Sequence, residues 1–362
     1  MTRHLHPVAW WCWAIGLAAA VSMTTNPLLL ALALAVITLV VLARRDASPW
    51  ARAFRLYAVL GAIIVAVRMV LHLAVGLKFG TIRLLPLPQA QLPSWAAGIQ
   101  LGGTVYLEGL LGAALEGARL GTMIIAVGAA NALASPKRLL KAFPAALHEI
   151  GAALVVAVTV APQLAASVQR VSRARQLRGD GGSGIRAVRR IAMPVLQDTL
   201  DRSLLLAAAM DGRGYGRRSP GSGSRLTAGV MVLGLIGACV GSYGLLDTTT
   251  PAAMGLPVLL LGAVLCLAGL YLGGRSLPRS IYRRDPWAAP EWLTIACGAL
   301  PLAAMIVTAR RDPAALGMPL VPRLGIPALP LLPAAGLLMA ALPAVVTPVP
   351  PLASVRGTRE GE

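Results

Sequence analysis

The sequence predicts an all-α polytopic integral membrane protein with about eight transmembrane helices and a set of amphipathic helices on the cytoplasmic side. Hydrophobic residues make up 57% of the 362 residues and charged residues only 13%, a composition too apolar for a soluble domain. Most of the charged residues are arginines, and they collect between continuous apolar runs. Runs of about 20 apolar residues are long enough to cross a bilayer.

Six strong apolar runs and two weaker ones are the predicted spans. The strong runs cover about 8–24, 27–43, 57–77, 105–134, 226–247 and 252–273. The weaker runs cover 290–309 and 325–347, and prolines interrupt the second of them. Trp10, Trp11 and Trp13 open the first run as an interfacial aromatic belt, so we expect a retained span there and not a cleaved signal peptide.

The distribution of basic residues predicts an N-terminus in the cytoplasm. Arg44 and Arg45 follow the second run, and Lys137 and Arg138 follow the fourth; short cytoplasmic loops collect such residues. Residues 78–104 then form the external connection. The same bias explains the net charge of +19 better than nucleic-acid binding does, because the aromatic residues that stack on bases are only 4% of the chain.

A basic segment between the fourth and fifth runs has the most distinctive pattern. Residues 170–225 hold twelve arginines and four acidic residues. The pattern over 145–178 indicates one helix, divided by Pro162, whose second half is amphipathic. After a glycine-rich turn, Pro194 suits the first turn of a second amphipathic helix over 194–211.

Both of these helices end in an arginine–glycine pair, Arg178-Gly179 in the first and Arg213-Gly214 in the second. Glycine suits the position after a helix because it adopts the left-handed conformation without penalty. Arginine on the last turn is favoured by the helix dipole, and its guanidinium can be received bidentately by a partner's carboxylate. The two pairs therefore either bind a partner protein through both helix ends or simply terminate the helices, and the spacing alone leaves both interpretations open.

Several short motifs occur in the order found in a known family. They are His6-Pro7-Val8-Ala9-Trp10, Thr25-Asn26-Pro27, Leu107-Glu108-Gly109-Leu110 with Ala118-Arg119-Leu120, Ser135-Pro136-Lys137-Arg138-Leu139-Leu140 and the two arginine–glycine pairs. Together they resemble the transmembrane T component of energy-coupling factor (ECF) transporters, a branch of ABC transporters that import vitamins and transition-metal ions. The chain is similar to longer members of that family, with extra C-terminal spans.

The resemblance implies a non-catalytic coupling subunit. In that family the ends of two helices enter two ABC-type ATPase subunits, and the same protein holds a substrate-binding membrane subunit. The implied coupling residues are Leu177, Arg178, Gly179, Gly212, Arg213 and Gly214. Leu177 and Gly212 stand where the family prefers alanine. The resemblance also implies the plasma (inner) membrane, no cofactor in this chain, ATP bound by the partner ATPases, and a vitamin or a transition metal such as cobalt as cargo.

Other motifs give little support to catalysis. The chain contains no G-x-x-x-x-G-K-[ST] phosphate loop, so we do not expect it to be the ATPase itself. His148-Glu149 lacks the second histidine of a zinc-peptidase helix, and His4 with His6 is more typical of solvated side chains than of a metal site. A polytopic membrane enzyme and a self-contained secondary transporter are the alternatives, although no catalytic cluster and no internal repeat is visible.

Glu116 and Arg119 lie inside the fourth run, where charges are costly. At positions i and i+3 they suit an intrahelical ion pair. A contact with the substrate-binding subunit and an ion path are the other interpretations.

By chain order we expect four regions. The first, 1–142, holds the N-terminal transmembrane helices, and the second, 143–218, holds the coupling helices with both arginine–glycine pairs. The third, 219–348, holds the C-terminal transmembrane helices, and 349–362 is a polar tail.

Overall fold

The computed structural model consists mainly of α-helices and confirms the all-α class. It describes residues 3–45, 54–75, 79–86, 90–91, 100–134, 136–141, 148–179, 185–213, 225–247, 251, 254–275, 287–320 and 325–348. The chain divides into two compact units, 1–139 with 284–362 and 140–283. The predicted C-terminal region is therefore split between the two units.

The helices begin and end close to the predicted apolar runs. In chain order they are α1 (Pro7–Ser22), α2 (Pro27–Arg44), α3 (Phe54–Val75), α4 (Leu107–Leu133), α5 (Pro136–Lys141), α6 (His148–Leu177), α7 (Ile185–Gly212), α8 (Arg225–Leu246), α9 (Leu256–Arg275), α10 (Ala289–Arg311), α11 (Leu331–Met339) and α12 (Pro343–Val346).

Seven of the described helices are long and apolar enough to cross a membrane, namely α2, α3, α4, α6, α8, α9 and α10. Helix α1 and the α11–α12 segment are shorter apolar helices, although the sequence indicated full spans there. Conversely, α6 has the length and composition of a span, whereas the sequence analysis placed it among the coupling helices.

The first two helices start where the sequence supplies caps. The Nδ1 atom of His6 accepts the N–H of Val8 at 3.3 Å, and Oδ1 of Asn26 accepts the N–H of Leu28 at 3.0 Å. Each cap is followed by a proline at the first helical position, where a missing N–H costs nothing. His6 therefore has a structural task, independent of any metal.

In the first unit, α1 packs between α4 and α10, and α10 also packs against α11. The largest fully buried side chains include Trp13, Leu17, Ile37, Met305 and Leu337. Helices α1 and α10 approach so closely that a Cβ on Gly16 would lie 2.3 Å from the carbonyl oxygen of Gly298. Only glycine is compatible with that crossing.

Polar bonds hold the C-terminal helices to the N-terminal ones within this unit. The indole N–H of Trp13 donates to the carbonyl of Ala340 at 3.0 Å. Asn26 donates through Nδ2 to the carbonyls of Ala315 and Ala328 at 3.2 and 2.8 Å. These bonds satisfy backbone carbonyl groups of the C-terminal segment, of which that of Ala340 is at the end of α11; such pairing matters where water is absent.

The connection between α3 and α4 contains short strands, which the sequence did not predict. Strands β1 (Arg83–Pro86) and β4 (Thr104–Tyr106) pair antiparallel, as do β2 (Ala90–Gln91) and β3 (Gln100–Leu101). The β1–β4 hairpin leads directly into α4, whose Glu108 carboxylate is 1% exposed. That carboxylate accepts the N–H and hydroxyl of Thr81 at 2.9 and 2.6 Å and the N–H of Ile82 at 3.1 Å.

The second unit contains two helix pairs, α6 with α7 and α8 with α9. Helices α8 and α9 touch through glycines: a Cβ on Gly241 would lie 2.2 Å from the backbone nitrogen of Leu259, and one on Gly262 would lie 2.3 Å from that of Ala238. Their outward leucines, such as Leu233 and Leu267, are exposed. Close backbone contact through small residues is typical of helices that associate within lipid.

The structure treats the two prolines of these helices alike. Helix α6 is the single helix that was predicted and continues through Pro162, but the expected start of α7 at Pro194 is wrong, because α7 begins nine residues earlier, at Ile185. Proline removes one backbone N–H from the helical ladder and usually kinks a helix. The flanking residues here form helix on both sides, so the loss of one bond does not end either helix.

Candidate coupling site

The first arginine–glycine pair lies at the C-terminal end of α6. The backbone N–H groups of Arg178 and Gly179 donate to Arg175 and Gln176 at 3.0 and 3.1 Å, closing a last tight turn. Gly179 has φ +76°, the left-handed conformation expected of a helix-terminating glycine. Leu177 is 89% exposed, and Arg178 beside it is exposed as well.

The second pair lies at the C-terminal end of α7. The helix ends at Gly212, and the N–H of Arg213 donates to the carbonyl of Met210 at 3.1 Å. Gly212 and Arg213 are exposed, whereas Gly214 lies outside the described residues. Gly212 itself has no positive φ, so an alanine would fit there. The two helix ends thus share an exposed arginine at the end of the helix.

A carboxylate joins the two helices that carry these ends. Asp198 of α7 accepts the hydroxyl of Ser167 of α6 at 2.8 Å and the Nε–H of Arg202 at 3.0 Å. Arg170 of α6 lies 3.7 Å from the same carboxylate. The Ser167 hydrogen bond, followed by the one from Arg202, lowers the pKa of Asp198 below its usual range. Asp198 therefore stays ionised and anchors α7 to α6.

This cluster of Asp198, Ser167, Arg170 and Arg202 was not predicted from the sequence. The spacing of Asp198 and Arg202, i and i+4, is a readable helix-pair signal. Ser167 carries no such signal, because nothing in the sequence indicates which faces of two separate helices meet. In the structure Ser167 is 4% exposed and Val195 is 6% exposed, and these buried residues mark where α6 and α7 cross.

Helix α7 leaves an apolar face uncovered in the described structure. Leu196, Leu200 and Leu204, which are spaced four residues apart along one face, are between 60% and 63% exposed. A contiguous apolar patch of this kind on an amphipathic helix marks contact with a membrane or with another protein.

A protein-family model matches the part of the chain that contains both helix ends. The model described as CbiQ, cobalt transport protein, matches residues 1–222, which is more than half of the chain. This protein belongs to the CbiQ cobalt transport family. Comparisons with curated proteins and with solved structures gave no match. The chain is accordingly a multi-pass membrane component of a transport system.

The CbiQ match covers α1 to α7 and both arginine–glycine pairs, so α8 to α12 lie beyond it. Of these, α10 and α11 belong to the same unit as the N-terminal helices, because α10 packs against α1 and α11 packs against α10 and α2, whereas α8 and α9 pack against each other in the second unit. Within the CbiQ region, the motif Leu107-Glu108-Gly109-Leu110 stands at the start of α4, where the buried carboxylate of Glu108 accepts hydrogen bonds from Thr81 and Ile82. Gly109 in that motif lets His72 of α3 approach, since a Cβ there would lie 2.8 Å from Nε2 of His72.

The spacing suggested that Glu116 pairs with Arg119, but in the structure Glu116 has a different partner. Glu116 of α4 bonds to Arg68 of α3, and among the described residues no ion pair joins it to Arg119. The reason is the α3–α4 crossing, where a Cβ on Gly117 would lie 2.9 Å from the Cα of Val65. That approach brings Arg68 to Glu116, a contact between helices that spacing along α4 could not reveal.

Within the described ranges, no group of three or more histidine, cysteine, aspartate or glutamate side chains could hold a metal ion. The four cysteines, which are all in described helices, are present as free thiols.

Proposed function

We propose that this CbiQ-family protein is the transmembrane coupling subunit, or T component, of an ECF-type ABC importer. It would link two ABC-type ATPase subunits to a substrate-binding membrane subunit for uptake of a vitamin or of a transition metal such as cobalt. The observation that carries the proposal is the pair of exposed arginines at the ends of two helices joined through Asp198, in a chain of a cobalt transport family.

Arg178 and Arg213 are the proposed docking groups. Each stands at a helix C-terminus, where the dipole favours a cation and the side chain can project beyond the last turn. A guanidinium has five donors in a rigid fork and pairs bidentately with a carboxylate. Carboxylates on the two ATPase subunits are the proposed acceptors.

The Asp198 cluster supports a coupling role for the helix pair. Because one carboxylate bonds to both helices, an ATPase subunit that displaced one helix end would move the other helix as well. The exposed leucines of α7 would then transmit that movement to the substrate-binding membrane subunit, whose apolar surface would cover them. A rigid pair of this kind can convert ATPase closure into a shift within the membrane.

The same proposal assigns the catalytic step to other chains. ATP would be bound and hydrolysed by the partner ATPases, because this chain contains no phosphate loop. The protein would lie in the plasma (inner) membrane, with its N-terminus and coupling segment in the cytoplasm, as the positions of its basic clusters favour. We expect the isolated subunit to have no ATPase activity.

The test is co-purification of the ATPase subunits, together with cargo uptake, for Arg178→Ala, Arg213→Ala and the double variant. Loss of one member of a buried charged pair costs about 2–5 kcal/mol in binding free energy, largely because its partner is left unpaired. We expect each single variant to lose most of the bound ATPase and the double variant to lose all of it. Arg178→Lys should recover only part, since lysine lacks the bidentate fork.

Arg173→Ala is the matched control, because Arg173 is exposed on the same helix. Exposed charges contribute about 0–1 kcal/mol, so this variant should assemble normally. Wild-type assembly and uptake by the double variant would contradict the proposal. So would a loss in Arg173→Ala as large as that in Arg178→Ala, which would indicate a general effect of positive charge.

A further inference from the structure

A cleft of about 330 Å³ lies between α3 and α4 in the first unit. Arg68 and His72 of α3 and Glu116 of α4 form its polar wall. The apolar wall is made by Leu71, Val75, Phe79, Ala113 and Leu320. Gly112 keeps the space open, because a Cβ on it would lie 3.2 Å from Cδ1 of Leu320 and 3.8 Å from Cζ of Phe79.

Arg68 and Glu116 have donor and acceptor atoms that their ion pair does not use. The side chains of Arg68 and Glu116 are 48% and 42% exposed. Their ion pair uses a single Nη2 group of Arg68 and a single oxygen, Oε2, of Glu116. The remaining guanidinium donors and the Oε1 atom are available to a ligand. Charges on the face of a transmembrane helix are costly unless they find a partner.

The arrangement restricts the chemistry of that partner. A bare metal cation would be repelled by Arg68, and a simple anion would be repelled by Glu116. A molecule with a phosphate and an ammonium group satisfies both charges at once, and apolar walls beside them suit hydrocarbon chains.

We propose that this cleft binds a zwitterionic phospholipid with a primary amine. The phosphate lies at the Arg68 guanidinium, the ammonium donates to the Glu116 carboxylate, and an acyl chain follows Leu71 and Val75 along α3. Leu71 and Val75 are 54% and 44% exposed on the outer face of that helix.

By the predicted topology the two charges lie in the outer half of the hydrocarbon core. Arg68 is seven residues before the end of α3 at Val75, about 10 Å at 1.5 Å per residue. Glu116 is nine residues after the start of α4 at Leu107, about 14 Å by the same rise. With the helix ends at the edge of a core about 30 Å thick, a bound lipid must draw its headgroup below the interface, and the long arginine side chain reaches outward to meet it. The bound lipid therefore belongs to the outer leaflet.

Native mass spectrometry of the purified full chain in detergent tests this site. The delipidated protein is given equal amounts of phosphatidylethanolamine, phosphatidylcholine and phosphatidylglycerol. We expect several-fold more adduct with phosphatidylethanolamine than with phosphatidylcholine, whose quaternary ammonium cannot donate an N–H to Glu116. Excess glycerophosphoethanolamine, which has the headgroup without chains, should not displace the lipid.

Variants separate the two halves of the site. Glu116→Gln should abolish the preference for phosphatidylethanolamine over phosphatidylcholine and increase the phosphatidylglycerol adduct, because Arg68 then faces no carboxylate. Arg68→Gln should reduce the adducts of all three lipids. Gly112→Leu should reduce them by filling the cleft. Arg311→Gln, at an exposed position at the end of α10, is the matched control and should bind like wild type.

Three results would overturn the proposal. They are equal adducts of phosphatidylethanolamine and phosphatidylcholine on the wild-type protein, the same loss in Arg311→Gln as in Arg68→Gln, and displacement by the chain-free headgroup. Loss of lipid selectivity in Glu116→Gln with an unchanged melting temperature supports the proposal, because a folding defect would lower both.

Discussion

The two units of this protein use their apolar helices in different ways. In the first unit, nine of the sixteen residues of α1 are buried, and they pack against helices from both ends of the chain. In the second unit, only Gly234 and Gly241 are buried among the 22 residues of α8. The apolar helices α1 and α8 are thus a core element and mostly surface, respectively, although α3 in the first unit also has only Gly61 buried. The first unit holds its fold by its own contacts, whereas the second presents faces for lipid or partner proteins to cover.

The polar contacts differ in the same way. The first unit holds its helices together with bonds over nearly the whole chain length, such as Arg3 to the buried carboxylate of Glu291 at 2.8 Å and Trp13 to Ala340. The second unit joins α6 to α7 through one half-exposed carboxylate, Asp198. Many buried contacts fix the arrangement of the first unit, whereas the contact between α6 and α7 depends on a carboxylate that water can reach.

The largest effect should come from Trp13→Ala in the first unit. Trp13 is fully buried and its indole donates to Ala340, so truncation leaves a cavity and an unpaired carbonyl. We expect a loss of about 3–5 kcal/mol in the free energy of unfolding, the usual range for a buried aromatic residue. The measurement is thermal unfolding of the purified protein in detergent.

Trp292→Ala provides the matched comparison, because Trp292 is 64% exposed. This variant should change the melting temperature little. Equal destabilisation by the two substitutions would contradict the view that the first unit is held together by its α1 core.

The second effect concerns two glutamates on one helix. Glu108 is buried and accepts bonds from Thr81 and Ile82, whereas Glu116 is in a half-exposed pair. Glutamine at position 108 keeps a carbonyl oxygen that can accept from these donors, but it removes the negative charge that strengthens their hydrogen bonds. Hydrogen bonds to charged groups contribute about 1.5–3 kcal/mol, so Glu108→Gln should destabilise by about that amount.

Glu116→Gln should cost less than about 1 kcal/mol, as for exposed ion pairs. Thermal unfolding and limited proteolysis of the 79–106 connection measure both effects. We expect faster cleavage of that connection only in Glu108→Gln, since Glu108 holds the hairpin to α4. Identical cleavage of the two variants would be inconsistent with this role.

Features that depend on residues close together in the chain were predictable from the sequence. The bounds of α2 and α10 were predictable because apolar runs and prolines act locally. The exposed helix ends with Arg178 and Arg213 were placed correctly for the same reason. The start of α7 was missed because proline was taken as a first-turn residue, although the helix tolerates Pro194 in its interior.

Contacts between helices were not predictable from one sequence. The Arg68 partner of Glu116 and the Ser167 partner of Asp198 depend on which helix faces meet. The packing of α10 against α1 depends on Gly16 and Gly298, which are 282 residues apart in the chain. A glycine at either position carries no local sign of its partner.

The smallest effect, and the one specific to the second unit, is a dependence of the α6–α7 contact on pH. The folded protein holds the pKa of Asp198 below its ordinary value, first through Ser167 and then through Arg202. A group with a lowered folded pKa stabilises fully above its ordinary pKa, about 3.9 for aspartate, and loses that stabilisation as the pH falls through the lower folded value. The contact should therefore be intact at neutral pH and loosen only in strong acid.

Spin labels at positions 166 and 205, which are exposed on α6 and α7, report the separation of the two helices in a cysteine-free background. At pH 7 we expect a narrow distance distribution for the wild type and a broader one for Asp198→Asn, because the neutral side chain keeps a hydrogen bond from Ser167 but loses its attraction to Arg170 and Arg202. The wild type should broaden toward the same shape below pH 4, while the variant should show no further change there. Asp201→Asn is the same substitution one turn away at an exposed position and should remain narrow at pH 7. If Asp198→Asn stayed as narrow as Asp201→Asn, the carboxylate would not be what holds α7 to α6, and the two arginine ends would have to be coupled through apolar packing around Val195 instead.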